Sequence, residues 1–131
     1  MTANPRAGAF LEIAGEEIAA AKHLAGMLPR QAAYFAQQAV EKIARAILAK
    51  EGIPFGVSHN LGQMAACLPS GHLWRPRIAA FDRLSPAATS YRYPTPAGRL
   101  QPLPVRTTLD ADIAAIEELL IDASRSIAPS E

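Results

Sequence analysis

A chain of 131 residues, half of them hydrophobic, is long enough for one ordinary core without disulfides or metals. Thirteen basic against twelve acidic residues, a formal charge of +1, exclude a global field that would draw nucleic acid or an anionic membrane to the whole surface, so any such binding has to be local. One cysteine excludes an internal disulfide, and neither a basic-plus-apolar leader nor an apolar run near the ~20 residues of a membrane span is present, so the expectation is a single soluble, cytoplasmic domain over 1–131.

Aromatic residues make up only 6% and alanine supplies much of the apolar fraction, a composition suited to closely approaching helices and therefore to an all-α fold. After a short disordered MTANPR start, the first helix is expected from Gly8 to Leu28. It aligns Ile13, Glu17, Ala20, Leu24 and Met27 along one side, with Phe10, Ala14 and Ala21 nearby, and Pro29 ends it. The second helix runs from Pro29 or Arg30, where proline fits a first turn, to about Glu51, where Gly52 supplies a left-handed stop. Phe35, Ala39, Ile43, Ala46 and Ile47 form its apolar face, while Tyr34, Gln38, Glu41 and Arg45 recur at helical spacing as a polar stripe beside Lys42.

Ser58 offers a cap for a short third helix, Asn60 to about Leu68, whose Leu61, Met64, Ala65 and Leu68 share a face; Pro69, Ser70 and Gly71 close it. Cys67, in the apolar run MAACL, reads as a buried inert thiol. A fourth helix from Arg75 or Pro76 to Ala88 buries Ile78, Phe81 and Leu84, with Pro86 disturbing its last turn and Trp74 packing at its start. Ser90 to Arg106 holds four prolines and a glycine and reads as a loop. A last helix begins after a Thr107 or Thr108 cap and aligns Leu109, Ile113, Ile116, Leu120, Ala123 and Ile127 before a disordered SIAPSE end. The result is an up-and-down helical bundle of four main helices plus one short helix, with an ordered core of about 8–127.

Three groups of residues carry chemistry. Glu41 and Arg45, four apart on a helix, form either a surface pair contributing roughly 0.2–0.5 kcal/mol or an arginine held ready for a phosphate, with Lys42, Tyr34 and Gln38 supplying further hydrogen bonds. His59 reads either as a helix-start histidine or as a general acid or base. Tyr91-Arg92-Tyr93-Pro94 either clamps a nucleotide, arginine on phosphate and tyrosine on base, or pins the loop with Arg92 paired to an acid such as Glu41; in both readings Arg92 lies close to the second helix. Arg75, Arg77, Arg83, Arg92, Arg99 and Arg106 meet only one acid, Asp82, so this segment is the electropositive part of the chain. No spacing of Cys, His, Asp or Glu matches a metal site, no glycine loop matches a phosphate cradle, and no serine has a nucleophile context, so no cofactor is implied.

The segment QAAYFAQQAVEKIARAILAKEGIPF, then His59-Asn60-Leu61, then Tyr91-Arg92-Tyr93-Pro94 before a last helix, resembles the HEPN domain family in the order and spacing of its anchors. The resemblance implies a helical bundle, often a homodimer through an alanine-rich helical face, associated with nucleotide binding and in many members with metal-independent RNA cleavage. It also implies a partner, a minimal nucleotidyltransferase, in a toxin-antitoxin-like or regulatory pair. Ribonucleolytic members carry an arginine followed four to six residues later by a histidine. Here the histidines are His23, His59 and His72, and none stands so after an arginine, so the reading leans away from an enzyme, with His59 and Arg92 as the remaining catalytic candidates and a purely structural dimer or interaction subunit as a further alternative.

Overall fold

Asn4 starts the first helix by both of its side-chain groups. In an extended conformation its Oδ1 accepts from Ala7 N at 2.9 Å, and Pro5 follows at the first helical position, so α1 spans Pro5–Leu24. Its Nδ2 donates to Ala49 O at 2.8 Å, fastening this cap to the far end of the next helix. The computed structural model describes residues 4–127; parts of the two expected loose ends, 1–3 and 128–131, lie outside them, whereas Asn4 to Arg6, Ser126 and Ile127 are ordered. The helix therefore starts three residues before Gly8, because Asn-Pro acts as a cap and not as a turn. Asn4→Ala is expected to lower stability by about 1 kcal/mol through the lost cap, measured by urea denaturation.

The buried face of α1 is centred on Ala14 and Ala21, expected only beside it, and not on Ile13 and Met27. Ala7, Ala14, Ile18, Ala21 and Ala25 are buried, while Ile13 is 41% and Met27 63% exposed. Small residues let α1 and the next helix approach closely, and the larger side chains lie at the margins. The helix stops at Leu24, whose carbonyl accepts from both Met27 N and Leu28 N; Leu28, preceding a proline, leaves helical geometry.

Helix α2, Pro29–Lys50, forms as expected and is the spine of the molecule, packing along α1 and touching the last long helix and the short helices between. Gly52 takes φ +71°, and Ile53 N to Leu48 O (2.9 Å) with Gly52 N to Ala49 O (3.1 Å) complete a Schellman closure. The third long helix, α6, spans Arg106–Ile127. Thr107 and Thr108 lie inside it instead of capping it; Leu109 N already bonds to Val105 O, and Arg106 Nε chelates both oxygens of Asp110 at 2.9 and 3.0 Å. Its seam is Leu109, Ile113, Ile116, Ala123 and Ile127 as expected, but Leu119 replaces Leu120 in the buried set; Leu120 lies half-buried over Gly15 of α1. Lys50 Nζ at the end of α2 donates to Ser126 O at 2.8 Å, so α2 and α6 finish at the same end of the bundle.

Between them the chain makes short pieces. Helix α3, Leu61–Ala66, is capped by Asn60, whose side chain accepts from Gln63 N at 2.8 Å; Ser58, the expected cap, instead accepts from Asn60 N at 3.1 Å. Leu61, Met64, Ala65 and Leu68 are buried together as expected, but Cys67 is exposed, on the opposite side of the same turn, correcting its expected burial. The expected fourth helix is divided into α4 (Trp74–Ala79), a 3-10 turn (Asp82–Leu84) and α5 (Ala87–Ser90). Pro86 starts α5 instead of disturbing an end. The break has a tertiary cause, since Asp82 Oδ1 accepts from Gly62 N (2.8 Å) and Ser85 Oγ from Leu61 N (2.9 Å), satisfying the first donors of α3. A Cβ at Gly62 would sit 2.8 Å from that carboxylate oxygen, so a larger residue there would have to displace the Asp82 side chain from its hydrogen bond. Ile78 and Trp74 are buried, Phe81 and Leu84 pack half-buried on the core, and Arg77 covers the Trp74 ring at 4.7 Å. The proline-rich segment folds into a turn at Thr95–Arg99, with Gly98 at φ +78°, and Arg30 of α2 holds it by donating to Gln101 O at 3.1 Å. Among the described residues there is no strand, and no helix is long and apolar enough to cross a membrane.

Candidate functional site

The polar stripe of α2 does not face solvent. Glu41 is 3% exposed, and its carboxylate lies at the centre of a network closed by the chain folding back after the Gly52 turn. Oε1 is 2.6 Å from His59 Nδ1 and accepts from Gln37 Nε2 at 3.3 Å, while Oε2 accepts from Arg45 Nε at 3.3 Å. Arg45 Nη2 donates to Ser58 O (3.1 Å) and Gln37 Nε2 to His59 O (3.3 Å), so the same side chains that satisfy the carboxylate also hold the returning backbone. Gln37, fully buried, is the member that the sequence reading missed; it faces inward only because residues 58–59 cover it.

Gln38 donates to Gln37 Oε1 at 2.6 Å and accepts from Lys42 Nζ at 3.0 Å. Lys42 also stands 3.2 Å from Glu17 Oε1 of α1, an ion pair by charge but without a hydrogen bond to that oxygen, which is buried and unpartnered. Burial pushes the Glu17 carboxyl above its usual range, against the lowering effect of Lys42.

His59 is the exposed end of this network, with half its side chain in solvent. The carboxylate at Nδ1 fixes the tautomer that carries its proton there and leaves Nε2 as an outward-facing acceptor. A buried carboxylate orienting an exposed imidazole is an arrangement that can accept a proton or a ligand hydrogen bond. The same network anchors the returning segment through Ser58 O and His59 O, so the cluster has a structural role of its own.

Arg92 belongs to a different cluster. Its guanidinium lies over the Tyr34 ring at 4.9 Å and over the Tyr93 ring at 5.4 Å, which places it against α2 as expected, but two helical turns from Glu41 along that helix. The expected pairing of Arg92 with Glu41 is replaced by this stack; among the described residues Arg92 makes no ion pair, and Glu41 is satisfied by Arg45, His59 and the two amides. Tyr91 instead lines a cavity of about 290 Å³ with residues of α2, α5 and α6. At that cavity's edge Arg83 holds both oxygens of buried Asp112, a bidentate pair that raises the arginine's proton affinity further. Thus Gln38, Glu41, Lys42, Arg45 and His59 come together, Tyr34, Arg92 and Tyr93 come together, and Tyr91 joins neither. Among the described residues no cluster of His, Cys, Asp or Glu could hold a metal ion.

Comparison with curated proteins and with solved structures gives no match. A family model, HEPN domain, matches residues 7–124, from the first buried alanine of α1 to within the last turn of α6. With that match spanning all six helices, the chain belongs to the HEPN domain family.

Proposed function

We propose that this protein is a nucleotide- or RNA-binding module that works as a homodimer beside a minimal nucleotidyltransferase, in a toxin-antitoxin-like or regulatory pair. The observation that carries the binding reading is Arg92: an exposed arginine whose guanidinium lies over two tyrosine rings and is left without an acidic partner among the described residues. Its N–H donors are not engaged by an acid and suit a phosphate, and the exposed Tyr93 ring gives a base a surface to rest on. HEPN membership supports a nucleotide- or RNA-related role in general terms.

Isothermal titration with ATP, GTP and a short RNA tests it. Saturable binding that Arg92→Ala weakens by about tenfold is the expected result, the loss of one bidentate phosphate contact. No binding by a folded protein, or binding indifferent to Arg92, sinks the reading.

The Glu41–His59 contact favours a second reading, a metal-independent ribonuclease in which His59 Nε2 takes the proton of a 2′-hydroxyl. Incubation with RNA separates the two: cleavage abolished by His59→Ala supports this second reading, and intact RNA alongside retained binding supports the first.

A further inference from the structure

The cavity that Tyr91 lines, about 290 Å³, is bounded by α2, α5 and α6 and by the end of the proline-rich segment at Pro104 and Val105. Its buried lining is made of small side chains, Ala33 and Ala36 from α2 and Ala87 from α5, with Leu109 from α6. Close packing is the rule at buried positions, so alanines from two helices leave room there that the chain itself does not fill. Tyr91, Pro86 and Pro104 add rigid rings to the lining. Ser90 and Thr108 add hydroxyls that take part in no hydrogen bond among the described residues. The only charged residues in the lining are Arg83 and Asp112, and Arg83 meets both carboxylate oxygens with Nη1 and Nη2. Val105, 65% exposed, and Thr108, also exposed, open the cavity to solvent.

We propose that this cavity binds a small uncharged ring molecule with one hydroxyl or N–H group, of the size of a phenol or an indole. Volume sets the size: an apolar cavity of about 150 Å³ accepts benzene, and this one, nearly twice as large, has room for two fused rings. Charge is excluded by the lining itself. Arg83 and Asp112 answer each other, so an ion entering beside them loses its hydration and gains no counter-charge. The apolar wall and its rings take the body of the ligand, and a hydroxyl of Ser90 or Thr108 takes its single polar group. A nucleobase is a poorer fit, because its edge is read by paired donors and acceptors. The lining has no Asn or Gln, and the fork of Arg83 is spent on Asp112. Neither Arg92 nor His59 lines the cavity, so this site does not rest on the nucleotide reading.

Amide NMR titration of the protein with indole, phenol, benzylamine, benzoate and adenine tests it, in the wild type, Ser90→Phe, Thr108→Trp and Arg92→Ala. Ser90 is half-buried and Thr108 exposed, so a larger side chain at either takes up cavity volume without displacing the core, and circular dichroism verifies that the variants fold. Indole and phenol are expected to saturate below about 1 mM, with shifts centred on residues 33–36, 83–91 and 104–112. Benzylamine, benzoate and adenine bind at least about tenfold more weakly. At least one of the two filled variants lowers indole affinity by about tenfold or more, and Arg92→Ala leaves it unchanged. The proposal is overturned by a lack of saturation with either ring, by shifts centred elsewhere, or by a charged probe or adenine that binds as tightly as indole. Indole affinity that neither filled variant lowers, or that Arg92→Ala abolishes, overturns it as well.

Discussion

Glu41→Ala is expected to lower folding stability by about 2–3 kcal/mol, because it strands buried donors that have no water to turn to. Gln37 is fully buried and Gln38 nearly so; each loses an acceptor, Arg45 loses its counter-charge, and His59 loses the group that orients it. Since His59 and Arg45 are partly exposed, their share is smaller than that of a fully buried pair. The damage should be uneven. Hydrogen exchange is expected to speed up over residues 53–60, which the network fastens to α2, while α6 stays protected. Denaturant unfolding with an unchanged midpoint would contradict a supporting role for the carboxylate. Glu41→Gln, which keeps the shape and one acceptor, is expected to cost less stability yet to disturb His59 as much, separating the role in holding the segment from the role in orienting the imidazole.

The second large effect lies on the other side of the same helix. Ile43 has no exposed surface and stands in the middle of α2, where α1, α3 and α6 converge on one core. Ile43→Ala should cost about 3 kcal/mol, since the removed methyls lose their burial and alanine-rich neighbours cannot swell to fill the void. For a domain of this size that corresponds to a fall of about 10 °C in Tm by calorimetry. A loss under about 1 kcal/mol would mean that the helices close up around the gap, against the close packing that the buried alanines indicate.

What could be read from the sequence follows from where the determining forces act. The limits of α2 are local: Pro29 fits only a first turn, and Gly52 alone relieves the left-handed stop, so both ends were legible. The face of α1 was not, because Ile13 and Met27 outweigh alanines in any count of apolar spacing, whereas the fold selects Ala14 and Ala21 for their smallness. The division of the fourth helix was equally out of reach, since it depends on Asp82 and Ser85 finding the free N–H groups of α3. The same distinction governs the site. Gln38, Glu41, Lys42, Arg45 and His59 were found by helical spacing plus the histidine after the turn, but Gln37 is recruited by backbone carried back over it.

The contact of Lys50 with Ser126 bears on how the chain reaches its native state. Two long helices that end together at one pole run in the same direction, so the segment that joins them, residues 51–105, has to carry the chain back along the bundle to the opposite pole. The α1–α2 hairpin closes across a turn of four residues, so its contacts form at little loop entropy, whereas the contacts of α6 with α1 and α2 close a far longer loop and cost more. The hairpin is thus expected to form before the α6 clasp, and the prolines of the intervening segment lower the cost of that longer closure by narrowing the conformations of the open chain.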